Sequence, residues 1–314
     1  MRALTIRDGE LVVEHHADPI PGTTEVLVAV AAAGLNAADL LQRRGLYPAP
    51  AGSPQDIPGL ELAGEVVGIG AGVTRWGVGD RVMAIVAGGA QAELCVVDES
   101  HLLSVPVTMD PVEAGAFPEA FSTAFDAMVT QGRLSAGDRL LVTGAAGGVG
   151  TAAIQLGRAI GAVVVACARD SARHAALADL GADLVITPDE VAAHGPYDVV
   201  LELVGAASLT TGVLSSLATG ARIVVIGVGG GVSVEVNLLG LMGSRATIGG
   251  STLRARNRTE KAIVASAVTD HVLPLVERGD IDVPILATFS LDDAEAAYER
   301  FAAGGKLGKI VLTF

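Results

Sequence analysis

Only two cysteines occur in 314 residues, Cys95 and Cys167, and they are too few and too far apart for a disulfide framework or a cysteine-rich metal site. Both are expected to be buried thiols. Positive charge is also scarce: 21 Lys and Arg stand against 35 Asp and Glu, the net charge is −14, and the cations are dispersed. Such a surface repels phosphate backbones, so nucleic acid is not an expected partner. Half of the residues are apolar, yet glycine, proline or charge interrupts every run before the roughly 20 residues of a membrane span. No membrane association is therefore expected. The opening MRALTIRDGE lacks the apolar core and small-residue cleavage site of a signal peptide and reads as a first strand, which makes the cytoplasm the expected compartment. Internal repeats and low-complexity linkers are missing, and the six histidines, adjacent His15 and His16 included, show no metal-ligand spacing.

What is present centres on residues 138–162, DRLLVTGAAGGVGTAAIQLGRAIGA. Leu140 to Thr143 is a short apolar run, Gly144 to Gly150 a glycine-rich turn, and Thr151 to Ile160 has helical spacing closed by Gly161. Strand, tight turn and helix in this order suit a pyrophosphate: glycines admit it to the backbone, and the helix start offers unpaired N–H groups and a positive dipole. Gly144, Gly147 and Gly150 sit three apart, a departure from the commoner G-x-G-x-x-G spacing. A second βα unit follows, with a strand over Val163 to Cys167 and a helix over Ser171 to Leu180.

The length predicts two domains. From Met1 to about Pro106, short strands alternate with glycine turns: Glu25 to Ala32, Glu61 to Ile69, Arg81 to Val86, Ala92 to Val97 and His101 to Val105. This reads as a barrel-like β region containing one short helix, Ala37 to Arg43, and a proline-rich loop, Gly45 to Pro58, of the length that carries function. Asp110, Pro111 and Glu113 mark a helix start, Pro118 breaks that helix, and another is expected over Glu119 to Gln131. Beyond the glycine turn the rhythm continues through strands Leu184 to Ile186 and Asp198 to Leu203, a helix over Leu209 to Leu217, and strands Ala221 to Ile226 and Ala246 to Gly250. The expected fold class is α/β: a doubly wound parallel Rossmann sheet. A long helix near Glu260 to Glu277, a capped helix ending near Ala302 and an alternating strand, Lys309 to Phe314, then return to the N-terminal region. The expected partition is 1–117, 118–256 and 257–314, with the nucleotide domain inserted into a discontinuous partner and a ligand cleft between them.

Several segments together resemble the medium-chain dehydrogenase/reductase superfamily: Gly34-Leu35-Asn36-Ala37-Ala38-Asp39, Ile57-Pro58-Gly59-Leu60-Glu61 with Ala63-Gly64, Gly79-Asp80-Arg81-Val82, the Ala145 to Gly150 turn and Gly308-Lys309-Ile310-Val311-Leu312. Within it, Gln42 to Pro50, Pro118-Glu119-Ala120-Phe121 and Gly250 to Arg256 are most similar to the zinc-independent, zeta-crystallin-like quinone oxidoreductases, especially the p53-inducible type. The resemblance implies a GroES-like β-barrel catalytic domain around the Rossmann domain, an NAD(P) cofactor and a homodimer. Where zinc-dependent relatives place sulfur or imidazole ligands, this chain aligns Asn36, Leu60 and Pro118-Glu119. No zinc is expected, and Glu61, a lone carboxylate, is expected to serve domain packing.

The same resemblance places Asn36 beside the nicotinamide or substrate, although an asparagine before a helix also suits an N-cap. Asp39 would support that cap. Tyr47 lies where related oxidoreductases line the acceptor site with a tyrosine; its hydroxyl would bond the acceptor oxygen or donate a proton, or its ring would simply pack. Gly144, Gly147, Gly148, Val149 and Gly150 would hold the pyrophosphate. Thr123 would bond the cofactor or its own helix backbone. Gly227, Val228, Gly229, Thr252 and Leu253 would flank the nicotinamide at the strand ends. Lys306 would contact cofactor or remain solvated. At the end of the second Rossmann strand, Arg169 and Arg173 would clamp the 2′-phosphate of NADPH, while adjacent Asp170 offers the ribose contact of NADH. Pro188 stands where many relatives carry a tyrosine near that phosphate. NADPH is expected over NADH.

Without a metal, hydride delivery to an ordinary ketone leaves a strongly basic alkoxide unsupported. A quinone yields a hydroquinone anion whose phenolic pKa is about 10, like tyrosine. The expected activity is NADPH:quinone oxidoreduction. The alternatives are reduction of a conjugated enone or enoyl thioester, and a non-catalytic NADPH-binding structural or stress protein.

Overall fold

In the computed structural model, which describes residues 1–314, the chain leaves its first unit after Glu119 and rejoins it at Leu253, so that Met1–Glu119 and Leu253–Phe314 form one unit and Ala120–Thr252 the other. The first passage contains β1 (Arg2–Arg7), β2 (Glu10–His15), β3 (Glu25–Gly34), α1 (Ala37–Arg43), β4 (Glu61–Ile69), β5 (Arg81–Ile85), β6 (Leu94–Asp98), β7 (Leu102–Ser104) and α2 (Pro111–Ala116). The second unit contains most of α3 (Pro118–Phe125), β8 (Arg139–Val142), α4 (Gly148–Ile160), β9 (Val163–Cys167), α5 (His174–Asp179), β10 (Leu184–Ile186), β11 (Tyr197–Glu202), α6 (Thr211–Leu214), β12 (Leu217–Val225), α7 (Leu238–Ser244) and β13 (Thr247–Gly250). The return adds α8 (Arg258–His271), α9 (Leu273–Glu277), β14 (Ile285–Ser290), α10 (Ala294–Ala302) and β15 (Lys309–Thr313).

In the first unit β3 is the organising strand. Val26, Val28 and Val30 alternate inward and pack with Leu62, Val66, Val82 and Val97. β3 pairs antiparallel with β4, with β6 along its first half and with β15 along its last. Thus β15 does return to the N-terminal strands, but its residues Lys309 to Leu312 are all buried rather than alternating. Leu291, Ala294, Ala297 and Tyr298 around α10 cover Ile310 and Leu312, and α2 also packs against this strand. Cover on both sides removes the need for a polar face.

In the second unit six strands run parallel in the order β10-β9-β8-β11-β12-β13. The order reverses between β8 and β11, which makes their carboxyl ends the place where such a sheet accepts a ligand. No helix is long and apolar enough to cross a membrane.

Four expected helices differ. The one over 119–131 is α3 followed by a π-helix, Asp126–Gln131. That over 171–180 opens as a 3-10 turn, Ser171–Arg173, because Asp170 accepts from Ala172 N–H and tightens the start. The helix over 209–217 shrinks to α6: Tyr197 N–H donates to Ser216 O (2.9 Å), and Leu217 is recruited into the sheet. The long helix near 260–277 divides at Val272, since Pro274 has no N–H to donate and its ring crowds the preceding turn. The strands β2 and β14, helix α7 and a 3-10 stretch, Pro188–His194, were not anticipated from the sequence.

Candidate functional site

The apolar residues Leu140, Leu141 and Val142 bury β8 in the sheet, and the chain turns at Gly144 with φ +60. Helix α4 begins at Gly148, three residues earlier than its apolar spacing suggests. Its N-cap, Gly147, is extended and provides no side-chain cap, so no side chain competes for the N–H groups of Gly148, Val149 and Gly150. A Cβ on Gly150 would lie 2.5 Å from Ala145 O, whereas one on Gly147 would meet only Gly144 O at 3.5 Å. The turn is therefore closed beneath and open outward. A glycine cradle with uncapped helical N–H groups fits the pyrophosphate of a dinucleotide.

The neighbouring loops belong to the same surface. After β12, Ile226 and Gly227 both donate to Glu202 O (2.9 and 3.1 Å), and a Cβ on Gly227 would strike the Leu203 backbone. Gly227, Val228 and Gly229 thus stand beside the loop after β11, next to the Gly144 turn. Thr123 is buried on α3, one turn before Asp126, whose carboxylate accepts from Ser251 Oγ (3.2 Å) beside Thr252. Leu253 is already in the first unit and is buried. After β9, Asp170 is engaged by Ala172 N–H and pairs with Arg173 at 3.4 Å, while Arg169 is exposed and forms no ion pair.

In the first unit, Asn36 is the N-cap of α1 and closes a capping box with Asp39, and its side chain has further partners. Nδ2 donates to Glu61 Oε1 (2.9 Å) and to Gly34 O (3.3 Å), and Oδ1 accepts from Lys309 Nζ (2.6 Å). Asp39 supplies the other half of the box: its Oδ2 accepts from Asn36 N–H (2.8 Å), and its Oδ1 accepts from Gly59 N–H (3.1 Å). Burial pushes the Asp39 carboxyl up to about 6, against these two bonds and the distant positive charges of Lys309 and Arg254. Glu61 is fully buried; Oε1 also takes Lys309 Nζ (2.6 Å), and Oε2 takes Glu119 N–H (2.8 Å). These partners all belong to the first unit.

Tyr47 is half-buried. Its carbonyl accepts from Arg254 Nη1 (2.8 Å), and the Arg254 guanidinium lies over its ring, 5.1 Å from the centroid. Arg254 also donates to Ala87 O (2.7 Å) and Gln42 Oε1, which fixes the proline-rich loop against α1. Burial lowers the pKa of Arg254. Lys306 is half-buried against the Phe301 ring, and burial, with help from Lys309 and Arg300, brings its ammonium down to about 7. Lys309 and Arg254 went unrecognised as site residues in the sequence. A lysine beginning an apolar strand was the available signal for the first; Arg254, one of three alternating arginines with Arg256 and Arg258, carried none.

The positions aligned with zinc ligands do not fit the ion. Leu60 has no donor atom, both Glu61 oxygens are occupied, and no grouping of three His, Cys, Asp or Glu side chains is arranged to hold a metal. Cys95 and Cys167 are both free and buried.

Comparison with known proteins agrees with this architecture. Residues 22–117 match the alcohol dehydrogenase GroES-like domain family and 148–267 the zinc-binding dehydrogenase family. The chain is 29% identical to a quinone oxidoreductase of Rattus norvegicus, over 94% of this chain and 90% of that protein. It is 31% identical over 93% of its length to a mycocerosic acid synthase-like polyketide synthase of Mycobacterium tuberculosis, of which it spans only 14%. Among solved structures, a probable oxidoreductase from Mycobacterium abscessus is 31% identical with a TM-score of 0.85, covering 100% of this chain and 99% of that one. An alcohol dehydrogenase superfamily protein from Novosphingobium aromaticivorans is 29% identical with a TM-score of 0.89 over the same shares.

Proposed function

This chain belongs to the medium-chain dehydrogenase/reductase superfamily of oxidoreductases, and on that premise we propose that it is a zinc-independent, NADPH-dependent quinone reductase. The observation that carries the proposal is the closed state of Glu61: this carboxylate, next to the aligned position Leu60, is already bonded by Lys309, Asn36 and the Glu119 N–H. With no donor set for a Lewis acid, the acceptor best served is one whose reduced form is a mild base.

The N–H groups of Gly148, Val149 and Gly150, shaped by Gly144 and Gly147, would hold the pyrophosphate. Arg169, with Arg173 turned from Asp170, would hold a 2′-phosphate, and the engagement of Asp170 by Ala172 supports this choice over a ribose hydroxyl. Gly227, Val228, Gly229, Thr252, Leu253, Thr123 and Lys306 complete the cofactor contacts in this reading. When bound, NADPH supplies the hydride. Asn36, held in one orientation by Lys309 and Glu61, would border the nicotinamide or acceptor in this reading. Tyr47, held by Arg254, offers a phenol as proton donor to the reduced oxygen. The match within a polyketide synthase favours a second reading, reduction of an enone or enoyl thioester.

Metal-stripped protein is mixed with NADPH or NADH, and cofactor absorbance is followed after adding benzoquinone or a matched enone. NADPH-selective oxidation with benzoquinone is expected, and R169A should lower that selectivity about tenfold, the loss of one charge-assisted contact. Faster turnover of the enone would replace the quinone assignment with the second reading. Tight NADPH binding without turnover of either acceptor would leave a non-catalytic binding protein.

A further inference from the structure

Glu202 ends β11 with its side chain fully buried, and neither the family resemblance nor the proposed reaction gives it a role. Its Oε1 accepts from Thr143 Oγ1 (2.9 Å), Val204 N–H and Gly205 N–H (both 2.8 Å) and Ser208 Oγ. Its Oε2 is buried with no hydrogen-bond partner. Such an arrangement is costly, because desolvating a carboxylate is compensated here through one oxygen alone. An apolar residue would end a buried strand at less cost, so the particular placement of that one oxygen is what the carboxylate provides.

Oε1 gathers donors from two different loops. Thr143 precedes the Gly144 turn, and its own Oγ1 accepts from Leu203 N–H (2.9 Å). Val204, Gly205 and Ser208 form the loop after β11. The backbone of Glu202 extends the tie to a third loop through Ile226 and Gly227, which both donate to its carbonyl. That third loop closes back on the second: Gly230 N–H donates to Val204 O (2.7 Å), and Ala206 and Ala207 N–H donate to Gly231 O (3.0 Å) and Gly230 O (3.1 Å). A Cβ on Gly144 would already lie 3.1 Å from Val204 Cγ2. The three loops follow β8, β11 and β12, and β8 and β11 flank the point where strand order reverses.

We infer that Glu202 is a positioning residue that sets the spacing of the β8, β11 and β12 loops and thereby the shape of the dinucleotide site. The inference rests on the dinucleotide reading of the glycine turn. It requires an acceptor oxygen at Oε1 and nothing at Oε2, so glutamine can replace Glu202 by presenting its amide oxygen to the same donors, whereas alanine cannot.

The test measures equilibrium binding of NADPH and NADH by cofactor fluorescence, together with the KM and kcat of each variant and its unfolding midpoint. E202A is expected to weaken cofactor binding about tenfold while kcat at saturating cofactor stays within about twofold, and E202Q is expected to restore binding to within about threefold of the natural protein. If E202A does not fold, S208A and T143V, which each remove one donor, are each expected to weaken binding about threefold with kcat retained. Folded variants that bind as tightly as the natural protein would overturn the inference. So would E202Q binding as poorly as E202A, since charge rather than placement would then be the requirement. Failure of the natural protein to bind either cofactor would instead overturn the dinucleotide reading itself.

Discussion

At the scale of the residue, the molecule is defined by buried polar groups that meet one another. Lys309 Nζ is shared by Glu61, Asn36 Oδ1 and Leu35 O, with all three contacts between 2.6 and 2.9 Å and the lysine almost fully buried. Removing one partner of such a pair leaves the other charge without compensation, at a cost of about 3–5 kcal/mol. K309M is therefore expected to destabilise the protein by about that amount in urea unfolding, and to release Asn36 from its single orientation. Asp39 gives a pH signature. Its carboxyl is raised from 3.8 to about 6 on folding, so the folded state favours the protonated form; that stabilisation is complete below pH 3.8 and is lost as pH rises through 6. A shift of this size corresponds to about 3 kcal/mol. Urea midpoints of the natural protein minus those of D39N should fall between pH 4 and 7, and a flat difference would refute the buried-acid account. Asn36 illustrates what sequence reading can and cannot reach at this scale. Its place before a helix was legible, but the partner that claims its side chain lies 273 positions away.

At the scale of the element, the decisive one is the β8 turn and α4. Gly150 is compelled by the Ala145 carbonyl 2.5 Å from where a Cβ would stand. G150A is expected to displace the turn and weaken NADPH binding by about tenfold or more, with a smaller loss of stability, about 1–3 kcal/mol from overpacking. Parallel titrations of binding and unfolding separate the two effects; unchanged cofactor affinity would show that the turn does not hold the pyrophosphate. Elements whose own residues determine them were legible: α1 matched Ala37 to Arg43, and β4, β9 and β10 matched to the residue. The Asp110–Glu113 capping box closes as its residues demand. Those that failed were decided by neighbours. The segment 209–217 has helical spacing, but the parallel ladder with β11 takes Leu217. The π-helix over Asp126–Gln131 packs beside β11 and β12, and no local pattern in the sequence marks it.

At the scale of the whole molecule, the distribution of charge and apolar surface matters most. On a chain of net charge −14, residues 226–250 contain one Glu and one Arg. Val232, Leu238, Leu239 and Met242 in that segment are exposed, and β13 ends the sheet with all four residues exposed. We propose that two copies of the chain associate through this face, the place where like-charge repulsion is least and an unpaired strand edge invites a partner. Sedimentation should give about twice the 31.6 kDa chain mass, and L239E with M242E should give a monomer; a natural protein that remains monomeric at micromolar concentration would overturn this assembly. The sequence alone determined the α/β class, the glycine turn, the parallel rhythm and the strand that returns from the C-terminus, because each is written in local spacing and residue type. Only the tertiary structure decided that Glu61 is occupied by Lys309, that Arg254 holds the Tyr47 loop, that Asp39 is forced toward neutrality and that Glu202 ties three loops. Those outcomes depend on which distant polar groups share a site without water, where an unpaired charge is too costly to leave.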